Sequence, residues 1–277
     1  MFVTSGKASL AYDVDGAPGD GADALLIHAG VTDRRSWRAL TGSLRGGRRL
    51  VSYDARGFGE TTYEPEEYFR HDDALAVMDA TGLDSAVVVG ASMGGRAAID
   101  LALERPDRVS ALILIGPAIS GVPKTDDDYP EPLSSLALKL EAAEEKGDLD
   151  EMNRLEAHLW LDGPTATEGR VSGPVRELFL EMNGRALAAP DPGDEPRLVD
   201  AWSRLEELAM PVLLLVGTLD LPDIKEHSQV MADRVATARL VVLDGVAHLP
   251  HLEGDAACLR EIAAFLESAT GSLADRE

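Results

Sequence analysis

The chain has 277 residues, 45% hydrophobic and 27% charged, the composition of a folded globular protein and not of a disordered segment. Lys plus Arg number 26 against 49 Asp plus Glu, a net charge of −23 that no basic run offsets locally, so neither nucleic acid nor an anionic membrane is expected as a partner. The single cysteine, Cys258, excludes an internal disulfide and reads as a small buried hydrophobe in a late helix. With no apolar core and cleavage site in Met1 to Leu10, and no apolar run of spanning length, a cytoplasmic location is expected.

In chain order, Phe2 to Val14 alternates on either side of Gly6-Lys7 and ends in a turn-rich stretch from Asp15 to Gly19, which predicts an antiparallel hairpin. The pattern then changes to short continuous apolar runs: Ala24 to Ile27, Arg49 to Tyr53, Ala86 to Val89, Ala111 to Ile115, Val212 to Val216 and Leu240 to Leu243. Runs of that kind are strands buried on both faces of a parallel sheet, and the helical stretches between them supply the crossovers. The expected fold is α/β, a mostly parallel, doubly wound sheet. Between Gly116 and about Met210 the alternation stops, and helices are predicted over Pro132 to Lys146, Leu149 to Leu161, Pro174 to Leu187 and Pro196 to Leu208. Because the strand pattern resumes at Pro211, this segment reads as a helical cap over the strand ends. The division is a core of 1–117 and 210–277 with a cap of 118–209. The acidic run Asp126 to Asp128 reads as a solvated loop.

The strongest chemical signal is Gly90-Ala91-Ser92-Met93-Gly94-Gly95, between the strand run ending at Val89 and a helical stretch that puts Ala98, Ile99, Ala102 and Leu103 on one face. Strand, tight turn and helix are the setting in which a G-x-S-x-G sequence presents a nucleophilic serine. The hydroxyl of Ser92 is then at a helix N-terminus, whose positive end favours a developing oxyanion. A serine needs a base, and a histidine on the loop leaving a late strand is the candidate. His248 follows Leu240 to Leu243 across Asp244-Gly245-Val246-Ala247; His71, His158, His227 and His251 fit that position less well. The acid that orients the base is expected at the end of the preceding strand, where Gly217-Thr218-Leu219 leads to Asp220. Asp223, following Pro222, reads as a capping residue of the next helix. The order Ser, Asp, His completes a triad. For the oxyanion, the expected donors are the backbone N–H groups of Met93 and of Val31, in the loop His28-Ala29-Gly30-Val31. Asp54 and Arg56, in the run Tyr53 to Gly59, read as loop-holding residues.

Together, His28-Ala29-Gly30, the Asp54 to Gly59 run, the serine turn, Gly217 to Asp220 and Gly245-x-x-His248 resemble the α/β-hydrolase superfamily along nearly the whole chain. The wording around Val31 and Trp37, and Leu219-Asp220-Leu221-Pro222-Asp223, is loosely similar to 3-oxoadipate enol-lactonases and related esterases, with Ala29 where the common pattern has glycine.

The leading reading is a serine hydrolase of a small carboxylic ester or lactone acting through an acyl-serine, with no metal or organic cofactor. A cofactor-free perhydrolase of the haloperoxidase-like kind, which carries a similar Ser-Met-Gly-Gly, stays open, as does a ligand receptor on the same fold. Preference for peroxide over water would mark the first, slow turnover with tight ligand retention the second. Trp160, Phe179, Met182 and Trp202 are candidate substrate-binding residues. Arg34, Arg35 and Arg96 are the cations nearest in sequence to the site, and are read as balancing nearby acids.

Overall fold

The computed structural model describes residues 1–44, 46–123 and 129–274, and the acidic run Asp126 to Asp128 lies outside these. Strands β1 (Phe2–Ser5) and β2 (Ala8–Gly16) form the expected hairpin across Gly6-Lys7. Next come β3 (Ala24–Ile27), helix α1 (Arg38–Ser43), β4 (Arg49–Tyr53) and a two-residue β5 (Thr62–Tyr63). Helix α2 (Arg70–Thr81) is followed by β6 (Ala86–Ala91), α3 (Met93–Glu104) and β7 (Val109–Ile115). The sheet runs β1-β2-β4-β3-β6-β7 and continues into β8 (Val212–Gly217) and β9 (Ala238–Leu243), with β5 paired to β2. From β4 to β9 all neighbours are parallel, while β2 lies antiparallel to β4 with Val14 opposite Val51. A strand as short as β5 has no periodic signal, so the sequence does not announce it.

Alternation along the strands sorts the core into two layers. Leu25, Ile27, Val88, Leu112, Leu114 and Leu214 pack towards α2, α3 and, through Met231, helix α7 (Pro222–Arg234). Leu26, Val89, Ile113, Leu213 and Leu215 face Leu40 of α1, Leu252 of α8 (Pro250–Glu253) and the stripe Cys258, Ile262, Leu266 of α9 (Ala256–Ala274). Each such fully buried aliphatic side chain contributes on the order of 1.5–3 kcal/mol relative to exposure. Cys258 is packed in that stripe, and burial pushes its thiol pKa up.

Strands β3 and β6 are neighbours whose following helices, α1 and α3, lie on opposite faces of the sheet. The crevice at their carboxyl ends is therefore a topological switch point, where open α/β sheets bind ligands.

Between β7 and β8 runs a mainly helical insert: α4 (Leu133–Lys146), α5 (Leu149–Glu156), a π-helix over Ala157–Asp162 and α6 (Pro174–Leu187). Two expectations need correction here. The helix expected over Leu149 to Leu161 keeps α geometry only to Glu156, then widens and ends at Gly163, φ 93°. The helix expected from Pro196 to Leu208 is a 3-10 helix over Ala201–Glu207 alone. The chain before it is irregular and tied down elsewhere, because Pro192 and Asp194 give their carbonyls to the N–H groups of Glu66 and Tyr68. No helix among the described residues is long and apolar enough to cross a membrane.

Candidate active site

Ser92 joins β6 to α3 with φ 50° and ψ −114°, a conformation that a non-glycine residue adopts only when its surroundings impose it. They do so here: a Cβ at Gly94 would overlap the carbonyl oxygens of Ile27 and His28, so only a glycine lets α3 start this close to β3. The Ser92 N–H donates to Ile115 O at 3.0 Å, and the Ala118 N–H donates to Ser92 O at 3.1 Å. The serine is thereby stitched to the segment leaving β7.

Against that segment, at Gly116, stand Asp220 and His248. His248 Nδ1 lies 2.9 Å from Asp220 Oδ2 and 3.0 Å from Oδ1, and both side chains are about 2% exposed. Asp220 Oδ1 also accepts the Leu221 N–H at 2.8 Å. Nδ1 is the donor in such a pair, which leaves Nε2 free to accept a proton; it has no partner among the described residues. Gly116, φ 48°, lets the pair come close to this segment: a Cβ there would lie 2.9 Å from His248 Nδ1 and 3.0 Å from Asp220 Oδ2. Gly116 belongs to no motif, and a glycine immediately after an apolar strand is its only signal in the sequence.

The loop after β3 is held by groups the sequence reading did not use. His28 is fully buried, its Nδ1 2.8 Å from Ala29 O and its Nε2 accepting the Ala55 N–H at 3.0 Å. Burial pushes its pKa down, so the ring is a neutral strut with one donor and one acceptor used. Thr32 closes the turn through N–H and Oγ1 bonds to Ala29 O. The N–H groups of Val31 and Met93 donate to no acceptor among the described residues, and a Cβ at Gly30 would sit 3.5 Å from Met93 Cβ, so the two segments adjoin. Asp54 holds its loop by accepting the N–H groups of Arg34 and Glu60, both at 2.8 Å. Arg56 is bound to Asp73 and Glu66.

His251 is excluded as the base. Its ring stacks on Trp37 at 4.4 Å, wholly buried, with neither nitrogen bonded among the described residues, and burial pushes its pKa down to about 3. Asp223 lies in the first turn of α7 and accepts from Tyr129 at 3.3 Å; the N-cap is Leu221, not Asp223. His227 lies within α7.

Of the four candidate substrate-binding residues, Trp160 lies against the Asp220–His248 pair: its ring is 4.7 Å from that of His248, tilted by 43°. Phe179 and Met182 are fully buried beside Ala157 and Leu161. Trp202 belongs elsewhere, because it packs against α7, edge-on to His227 and below Arg234. The three arginines are all engaged. Arg34 pairs with Asp13, Asp54 and Glu60, Arg35 with Asp33 and Glu181, and Arg96 with Glu195.

A parallel sheet with a strained serine at the switch point, and an Asp–His pair carried by the last two strands, defines the α/β-hydrolase class. The family model described as "Alpha/beta hydrolase family" matches residues 24–261, and the chain belongs to that family. Among its relatives is the 2-hydroxymuconate semialdehyde hydrolase of Pseudomonas sp. (strain CF600), 28% identical over 258 residues, 91% of this chain and 89% of the relative. A thermophilic esterase from Thermogutta terrifontis is 26% identical with a TM-score of 0.73, over 98% of each chain. The enol-lactonase from Burkholderia xenovorans LB400 has the same TM-score at 23% identity over 96% of this chain and 99% of its own, a likeness of fold.

Proposed function

We propose that this hydrolase cleaves a small, uncharged carboxylic ester or lactone through an acyl-Ser92 intermediate. The observation that carries the reading is a buried Asp220–His248 pair packed against Gly116, the residue after the Ile115 whose carbonyl holds Ser92, itself at positive φ at the N-terminus of α3. His248 Nε2 takes the Ser92 proton as Oγ attacks the carbonyl carbon, while Asp220 stabilises the imidazolium. The tetrahedral oxyanion is received by the N–H groups of Val31 and Met93 and by the positive end of α3. Collapse expels the alkoxide, which recovers the proton from His248. The same base then activates water, which releases the acid and frees Ser92.

Residues 118–209 serve as the cap, with Trp160 resting on the His248 ring, and 1–117 with 210–277 as the core. An uncharged substrate is supported by Arg34, Arg35 and Arg96, each of which is paired with acid, and the net charge of −23 opposes an anionic ligand. A serine-directed fluorophosphonate tests the mechanism. One adduct, on Ser92, with activity abolished in Ser92→Ala, is expected; an adduct on another residue or an active alanine variant refutes it.

A further inference from the structure

Arg170 lies in the loop between the π-helix and α6, and all five of its N–H donors are used. Towards the cap, Nε donates to Asp162 O at 2.8 Å and Nη2 to Leu161 O at 2.7 Å. Towards the core, Nη1 donates to Gly245 O at 3.1 Å and to Glu253 Oε2 at 2.8 Å, and Nη2 to Glu253 Oε1 at 2.7 Å. Gly245 precedes His248 and Glu253 follows it, so one planar cation holds the base loop on both sides. Glu253 Oε1 also accepts from the Ala247 N–H at 3.4 Å, next to His248 itself.

The same stretch of cap reaches the acid loop. Gly163 runs so close to it that a Cβ would stand 2.7 Å from Leu219 O and 3.3 Å from Ala247 Cβ. Trp160 rests on the imidazole. Residues 160–170 therefore touch the loop carrying Asp220, the loop carrying His248 and the His248 ring.

We infer that Arg170 is a positioning residue for His248, which with Glu253 fixes the base loop so that Nε2 is held in line with Ser92. This rests on the acyl-serine reading. A carboxylate and three carbonyls converge on one guanidinium, an arrangement that the three tetrahedral donors of a lysine cannot reproduce. A base displaced by about 1 Å loses about 100-fold in rate.

The test uses the full chain and a fluorophosphonate, following both the rate and the final extent of labelling, with kcat and KM on p-nitrophenyl acetate. Arg170→Ala is expected to slow labelling and lower kcat by about 100-fold, and Arg170→Lys by about tenfold, with KM within about twofold and labelling still reaching one adduct per chain. Glu253→Gln, which keeps the shape and removes the charge, moves rate and kcat the same way and serves if Arg170→Ala does not fold. Arg154→Lys, whose side chain pairs with Glu151 and Glu168 on the cap surface, is expected to change neither. Variants that label at the wild-type rate overturn the inference. So do variants that lose extent of labelling and not rate, because Arg170 then acts on folding alone. A wild-type protein without an adduct on Ser92 overturns the acyl-serine reading, and this inference with it.

Discussion

Gly116→Ala isolates the alignment of acid, base and nucleophile in one methyl group. The new Cβ would lie 2.9 Å from His248 Nδ1 and 3.0 Å from Asp220 Oδ2, where ordinary contact begins near 3.5 Å, so the pair must retreat by about 0.6 Å. If 1 Å of misplacement costs about 100-fold, this displacement costs about tenfold in kcat. The backbone adds a second cost: at φ 48° an L-residue is disfavoured by about 1–2 kcal/mol, which lowers Tm by a few degrees. The two effects separate with Gly147→Ala, since Gly147 has φ 65° and nothing within 4 Å of the added atom. Both variants are expected to lose similar Tm in differential scanning fluorimetry, while only Gly116→Ala loses kcat on p-nitrophenyl acetate. Equal kcat in the two variants would refute the assignment of the buried Asp–His pair to catalysis.

Asp220→Asn should lower kcat by about four orders of magnitude, since the amide no longer holds the tautomer or stabilises the imidazolium, whereas Asp223→Asn should change it little; steady-state kinetics showing the larger loss from Asp223 would reassign the acid. For a matched neutral and anionic ester pair, kcat/KM should favour the neutral member, and the gap should narrow as salt is added; a preference for the anion that Arg34→Ala or Arg96→Ala removes would show a carboxylate site instead. His251 stays neutral in the fold to about pH 3, while the unfolded chain binds its proton near 6.5, so stability falls as pH drops through that window and is retained above it. Each pH unit below 6.5 costs about 1.4 kcal/mol, or about 2 kcal/mol at pH 5, so His251→Phe should shrink the Tm difference between pH 7.5 and pH 5; identical differences would mean that His251 is protonated in place.

The parallel strands were legible because burial on both faces leaves unbroken apolar runs: Ala24–Ile27 and Arg49–Tyr53 have the same bounds in sequence and structure. The strand–turn–helix setting of Ser92 was legible because strand, glycines and helix are local, and the places of Asp220 and His248 because each follows its own strand. What the sequence withheld depends on encounters between distant segments. Trp160 and Trp202 are both aromatic residues among Leu and Glu, and only the path of the insert turns one onto His248 and the other onto α7. Arg34 and Arg96 stand near the site in sequence, yet Arg34 is matched by Asp13, Asp54 and Glu60 and Arg96 by Glu195. Arg170 carries no motif at all, and its role comes from carbonyls at positions 161, 162 and 245 meeting in space.

Strands β7 and β8 are bonded neighbours, Leu112 opposite Val212, although residues 116–211 intervene. Closing so long an excursion is entropically cheap to vary, since doubling it adds only about 0.6 kcal/mol. Lineages sharing this sheet are therefore free to exchange the whole insert without retuning how the sheet assembles. The exception is the stretch 160–170. A transplanted insert that brings no counterpart of Arg170 would yield a chimera that folds, binds its new substrate and turns it over slowly, and that deficit is repairable by restoring a few residues where the insert meets Gly245 and Glu253.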